Sequence, residues 1–242
     1  MLDKAVKDEM KAVAITDHGN MFGVFKFVAE ARKRNVLPII GCEFYVCFDR
    51  FKKERMREFG GDESGKKGKT AFHQVLLAKN AVGYQNLTKL CTLGFLDGYY
   101  YNPRIDKELI RQYSEGLIAT TCCLASEVCQ TIIHKGEAEG EKVFKEYLSI
   151  FGEDYYIELQ RHGIPEQDMC NEILLKWSKK HNVKVICTND SHYVEKEDWE
   201  AHDILLCLQT NADINQPNRF KFENDQFFCL LYTSDAADER HC

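Results

Sequence analysis

Along the chain, short continuous apolar runs alternate with segments whose apolar residues recur every three or four positions. The runs cover residues 12–16, 37–47, 74–79, 117–121, 155–159 and 184–188. Runs of this kind suit strands buried on both faces. Residues 20–34 carry Phe22, Phe25, Val28 and Ala29, and residues 166–180 carry Met169, Ile173, Leu174 and Trp177. Each set makes one buried stripe on a helix. The alternation predicts an α/β fold with a parallel sheet. Six such runs supply most of a (β/α) barrel, a fold in which function gathers at the C-terminal strand ends.

Two segments break the pattern. Residues 49–70 hold eight Lys or Arg, five acids and four Gly with little periodicity, which predicts a mobile basic insertion on the surface. Residues 230–242 are small and polar without a core face, which predicts a disordered tail.

Composition narrows the class. The chain has 242 residues, 44% hydrophobic and 29% charged, enough for one large domain or two small ones. A net charge of −6 gives no global basic field for nucleic acid, although a local basic surface is compatible with it. The cysteine count of 11 is odd, no CxxC pair occurs, and Cys42, Cys91, Cys187 and Cys207 lie in apolar runs. Buried free thiols in a reducing compartment follow. The start of the chain does not read as a signal peptide, and no apolar run reaches the roughly 18 residues of a membrane span. A soluble cytoplasmic protein is expected.

Nearly every predicted strand has a His, Cys, Asp or Glu at or beside one end. Asp17 and His18 follow the first, Glu43 lies within the second, and His73 abuts the third. Cys122 and Cys123 follow the fourth, Arg161 and His162 the fifth, and Asp190 and His192 the sixth. Imidazole, thiolate and carboxylate are the ligands of zinc and related ions. Paired ions can clamp a phosphoester, activate water and stabilise the leaving oxygen. On an extended segment Asp190 and His192 point the same way and can serve one ion. Plainer readings stand beside this one. Asp17 suits a helix cap, Glu43 an ion pair, His73 an ordinary surface position, Cys122 and Cys123 the core, Asp190 and His192 a hydrogen-bonded turn, and His162 a loop. His134, His181 and His202 read as surface or capping residues. The sequence has no GxGxxG, GxxxxGK[ST] or GxSxG, so any catalysis would be metal-based.

Together these segments resemble the PHP (polymerase and histidinol phosphatase) domains. Thr16-Asp17-His18-Gly19 resembles the TDHG motif, and Gly41-Cys42-Glu43 the GxE segment. Phe72-His73, Cys122-Cys123-Leu124 and Asn189-Asp190-Ser191-His192 match later motifs in order, over about residues 4 to 228. Residues 86–90, 157–163 and 222–227 have the flavour of the PHP domains of bacterial DNA polymerase III alpha subunits rather than of small PHP phosphatases.

The resemblance implies a PHP-type distorted (β/α)7 barrel with metal ligands His18, Glu43, His73, Cys123, Asp190 and His192. Cys123 is preferred to Cys122 because it directly precedes Leu124. Asp17 and His162 are further candidates for the catalytic machinery. It also implies divalent metal ions, zinc or manganese, and magnesium for a polymerase domain elsewhere in the parent. DNA, a proofreading exonuclease, a sliding clamp and a clamp loader are the implied partners, with no membrane role. In some relatives the domain hydrolyses DNA 3′ ends; in others it is a platform. A free-standing phosphoesterase acting on a small phosphate ester is the other reading.

Departures from the family are informative. The HxH strand that opens the family pattern is absent, which suggests an N-terminal fragment with an incomplete barrel, lacking its first strand and the polymerase core. From about Cys229 the chain leaves the pattern and resembles translated adapter sequence, so 229–242 is expected to be an artefactual tail and 1–228 the domain. If the resemblance holds, donor atoms of the ligands should gather within roughly 8 Å, with Cys123 nearer than Cys122 and with His134 and His181 well away.

Overall fold

The computed structural model describes residues 1–61, 68–222 and 224–229. In chain order the elements are α1 (Leu2–Lys7), β1 (Ala12–Ile15), α2 (Val24–Lys33), β2 (Leu37–Cys47), β3 (Phe72–Ala78), α3 (Ala81–Leu96), β4 (Arg104–Asp106) and α4 (Lys107–Gln112). Then follow β5 (Leu117–Thr120), α5 (Glu127–Lys135), α6 (Glu137–Phe151), β6 (Tyr155–Leu159), α7 (Pro165–His181), β7 (Val185–Cys187) and α8 (Trp199–Thr210). The strands form one curled sheet in the order β1-β2-β3-β5-β6-β7, with β4 paired to β2. It is an incomplete (β/α) barrel whose edge strands are β1 and β7.

All the strands expected from the apolar runs are present, but the sheet is not all parallel. β3 runs antiparallel to both β2 and β5. Parallel neighbours need a crossover, usually helical. That is supplied by α2 between β1 and β2, by α5 and α6 between β5 and β6, and by α7 between β6 and β7. The described part of the β2–β3 link has no helix, so β3 returns in the opposite direction. The unanticipated β4 is three residues long, too short to make an apolar run. It lies in tandem with β1 on one side of β2, because Tyr45 pairs with Arg104 on that side and His73 on the other.

The main core lies between the inner strands and α3, α5, α6 and α7. Leu76, Leu87, Leu90, Phe144, Ile157 and Trp177 are essentially inaccessible. Each such side chain contributes about 1.5–3 kcal/mol by leaving water. Close approach is built in at Gly140 of α6, where a Cβ would sit 2.5 Å from Ile132 Cγ1.

Three expectations need correction. The buried face of α2 is Val24, Phe27 and Ala31, whereas Phe22 and Phe25 are 82% and 88% exposed. The helix begins only at Val24, and its residues at i, i+3 and i+7 make the alternative stripe that packs inward. On α7 the buried positions are Gln167, Cys170, Leu174 and Trp177, with Met169 exposed. Strand β7 is not buried on both faces, since Val185 and Cys187 are exposed at the sheet edge.

The insertion at 49–70 is anchored rather than free over its described part. Met56 pairs with Lys69, and Met56, Phe59 and Phe72 form a second small core. Phe59 meets Phe72 edge-on at 4.8 Å. Residues 62–67 and the tail residues 230–242 lie outside the described residues. Among the described residues all cysteines are free thiols, and no helix is long and apolar enough to cross a membrane.

Candidate metal centre

The strand ends named above meet at one mouth of the sheet. Beyond β1, His18 bridges in parallel to Glu43 of β2. The Glu43 N–H donates to Asp17 O at 3.1 Å, and the Gly19 N–H donates to Glu43 O at 2.9 Å. Gly19 has φ +67° and no room for a Cβ, which would stand 2.8 Å from Pro103 Cγ. Only glycine makes this turn without strain. His73 reaches the same mouth from the N-terminal end of β3, and does so because β3 is antiparallel. Glu43 stands opposite Val75, so His73 is its diagonal neighbour on the same face.

Among the described residues, donor atoms of His18, Glu43 and His73 lie within 4.8 Å of one another, as do those of Glu43, Cys122 and Cys123. Glu43 is the shared member. Its Oε1 is 2.6 Å from His73 Nδ1, and its Oε2 is 3.6 Å from His18 Nδ1. Cys123 Sγ is 3.6 Å from both Glu43 Oε1 and His73 Nδ1. Tyr45 walls this half, stacked on His18 and edge-on to His73.

Cys122 is not turned away as strand alternation would require. Its Sγ lies 3.9 Å from Glu43 Oε1. The reason is backbone conformation: Cys122 has φ +60°, so the extended alternation ends before it. Both thiols therefore border Glu43, with Cys123 somewhat nearer and also touching His73.

Asp190 and His192 form the other half, with His192 Nε2 3.3 Å from Asp190 Oδ1. The two halves approach each other where the rings of His18 and His192 stand 6.0 Å apart. The His192 N–H donates to Phe227 O at 2.8 Å, which fastens this loop to the segment at the end of the described chain. His162 is buried and stacks flat on Phe227 at 4.3 Å. The Asp17 side chain is directed toward Gly23, just before α2, and belongs to neither donor group.

Charge is concentrated here. Burial works against protonation of His73, but its hydrogen bonds to Cys123 and Glu43 and their negative charge raise it to about 10. His18 is lowered, by burial first and also by His73 and His192, against the pull of Glu43. Asp190 is half-buried, which works against its charge, yet the hydrogen bond and charge of His192, with His162 and His18, hold it below the usual carboxylate range. Burial pushes the Cys122 thiol up. A set of imidazoles, carboxylates and a thiol around one acid suits a divalent ion of the zinc or manganese kind.

Other histidines are placed elsewhere. His134 packs on Phe59, and His181 pairs with Glu141 at 2.6 Å. His202, expected on the surface or as a cap, instead borders the site, with its ring 5.7 Å from His192 and stacked on Phe222. Sequence reasoning also missed Lys69, whose ammonium is lowered by burial and lies within electrostatic reach of Cys123. It missed the buried polar residues Thr120, Glu158, Gln160 and Gln167 behind the site, and the exposed Thr188 that donates to Glu158. A polar residue inside a strand or a helix stripe carries no periodic signal.

Comparison with known proteins gives the family. Residues 1–162 match the profile of the PHP domain. The chain is 42% identical over 229 residues to the DNA polymerase III subunit alpha of Borreliella burgdorferi, covering 94% of the chain and 19% of that protein. It is 41% identical over 226 residues to the same subunit of Thermus aquaticus, covering 93% of the chain and 18% of the relative. For Deinococcus radiodurans the figures are 44% over 217 residues, 90% and 16%. The chain thus spans about a fifth of the length of these relatives.

Proposed function

The chain belongs to the PHP domain family, and from that premise we propose that it is the metal-binding, phosphoesterase-like module of a replicative DNA polymerase of the DNA polymerase III alpha type. The observation that carries this reading is the convergence of His18, His73 and Cys123 on the buried carboxylate of Glu43. Similarity to polymerase alpha subunits over more than nine-tenths of the chain supports the polymerase setting. In that setting the parent protein synthesises DNA on a template, using magnesium in a separate domain. DNA, a proofreading exonuclease, a sliding clamp and a clamp loader are its partners. The fastening of His192 by Phe227 supports a domain that extends to about residue 228.

We assign Glu43, His18, His73 and Cys123 to one part of the metal centre and Asp190 with His192 to the other. A divalent ion held there supplies positive charge that polarises a phosphoryl oxygen and eases the ionisation of water. The protein's own groups do the rest. Glu43 holds the two imidazoles in fixed orientation, and Tyr45 keeps one wall of the site dry. The proton that Glu43 and Cys123 hold on His73 would have to leave for that imidazole to ligate, so metal binding would compete with protons.

The experiment is hydrolysis of a 3′-labelled single-stranded oligonucleotide by the purified chain in Mn2+ or Zn2+, with p-nitrophenyl phosphate in parallel. Release of 3′ nucleotides that is lost in Glu43→Gln supports the reading. Hydrolysis of the small ester alone would replace it with a free-standing phosphoesterase. Primer extension by the chain would contradict the assignment of synthesis to another domain.

A further inference from the structure

The loop after β5 carries two adjacent thiols against one carboxylate. The Thr121 N–H donates to Tyr156 O at 2.9 Å, and the His73 N–H donates to Ala125 O at 3.1 Å. The loop is thereby pinned to β6 at its start and to β3 at its end. Between these ties Cys122 holds φ +60°, a conformation uncommon outside glycine. Its N–H donates to Thr120 Oγ1 at 3.1 Å. Neighbouring side chains of an extended segment point to opposite sides. Here the turn brings both sulfurs to Glu43. Backbone strain of this kind gathers at ligand-holding sites and persists where the surroundings enforce it.

The spacing of the donors is specific. Cys122 Sγ stands 3.9 Å and Cys123 Sγ 3.6 Å from the same oxygen, Glu43 Oε1. Donor atoms of the three residues all lie within 4.8 Å of one another. Zinc–sulfur bonds of about 2.3 Å and zinc–oxygen bonds of about 2.0–2.2 Å, set at the tetrahedral angle, place sulfur and oxygen ligands about 3.6 Å apart. The three residues therefore have the spacing of ligands to one tetrahedral ion.

His73 stands differently toward Glu43. Its Nδ1 is 2.6 Å from Glu43 Oε1. That is a hydrogen-bond length, shorter than the roughly 3.4 Å between oxygen and nitrogen ligands of one such ion. Glu43 thus joins two donor groups of different chemistry, with the imidazoles of His18 and His73 in one and the thiols of Cys122 and Cys123 in the other.

We propose that Cys122 is a metal ligand, and that Cys122, Cys123 and Glu43 form a dithiolate–carboxylate position for a thiophilic divalent ion of the zinc kind. The proposal rests on the metal-centre reading above. On binding, each thiol yields its proton to solvent as its sulfur–metal bond forms. Thiolates select zinc, whereas manganese takes carboxylate and water oxygens. The second thiolate therefore makes this position discriminate against manganese.

The test uses the full chain, reduced and freed of metal, titrated anaerobically with Co2+ in place of zinc. Sulfur-to-cobalt charge transfer in the near ultraviolet grows with the number of thiolates on the ion. Cys122→Gly suits the backbone, and Cys122→Ser keeps the size of the side chain. Cys187 is exposed, and Cys187→Ser serves as the control. The wild type and Cys187→Ser should show two thiolates per Co2+, and Cys122→Gly, Cys122→Ser and Cys123→Ser should each show one. Zn2+ affinity, by competition, should fall in both Cys122 variants by at least the about 10–100-fold that loss of an outer-shell partner causes. Mn2+ affinity, by electron paramagnetic resonance, should change far less. Undiminished charge transfer in both Cys122 variants would overturn the proposal alone and leave Cys123 as the one thiolate. Loss of charge transfer in Cys187→Ser would overturn it by placing Co2+ on exposed thiols. Absence of Co2+, Zn2+ and Mn2+ binding in the wild type would remove the metal-centre reading and this proposal together.

Discussion

Glu43 Oε1 lies 2.6 Å from His73 Nδ1, reached diagonally across an antiparallel strand pair. The contact exists only because β3 reverses direction, and it makes Glu43 the common neighbour of His18, His73, Cys122 and Cys123. Glu43→Gln removes the shared charge while keeping the shape. It should reduce divalent-metal affinity at least about 100-fold, about 2.7 kcal/mol, in a competition titration. Retained affinity would show that the carboxylate is not the centre of the donor set.

The insertion carries its own anchor. Phe59 is 1% exposed and meets Phe72 edge-on. Phe59→Ala should cost about 3 kcal/mol, measured by urea denaturation. A change below about 0.5 kcal/mol, the range of ordinary surface substitutions, would mean that the segment is not docked.

At the end of β4, Arg50 Nη1 contacts both oxygens of Asp106 at 2.9 and 2.8 Å, and the Leu109 N–H donates to Asp106 Oδ1 at 3.1 Å. Asp106→Ala strands a buried guanidinium and removes the cap of α4. A loss of about 3–5 kcal/mol is expected, again by denaturation. Little loss would indicate that Arg50 finds water.

Glu158 supplies a pH test. Burial raises its pKa, against the hydrogen bonds from Thr120, Thr188 and Gln160. A carboxyl group with a raised folded-state value stabilises the fold below its unfolded value, about 4.3. That stability is lost as pH rises through the folded value. Relative to Glu158→Gln, the wild type should therefore lose ground between about pH 4 and pH 8, by about 1.4 kcal/mol for each tenfold loss of acidity on folding. Melting temperatures of both proteins at the two pH values measure this. A constant difference would show that the pKa of Glu158 is the same in the folded and unfolded states.

Much of this was legible in the sequence, for physical reasons that differ by element. The strands at Leu37–Cys47 and Tyr155–Leu159 announce themselves because buried strands need continuous apolar runs. The direction of β3 left no mark, since a run reads alike in either direction and only the missing crossover helix hints at reversal. Phe22 and Phe25 misled because α2 has apolar residues on two faces, and the start of the helix decides which is buried. His18, Glu43 and His73 stood out as chemistry beside strands. Cys122 required the φ of +60° that no spacing rule reveals. The support behind Asp190 was silent, because Glu158, Gln160 and Gln167 look like ordinary polar positions until the fold buries them.

The central claim is that residues far apart in sequence build one divalent-metal centre around Glu43. Equilibrium titration of the purified chain with Zn2+ and Mn2+, beside Glu43→Gln, His73→Phe and the distant control His134→Gln, tests it most directly. The account expects saturable binding in the wild type and in His134→Gln, and its loss in Glu43→Gln and His73→Phe. Binding that survives both of those substitutions, or no binding by the wild type, would contradict it.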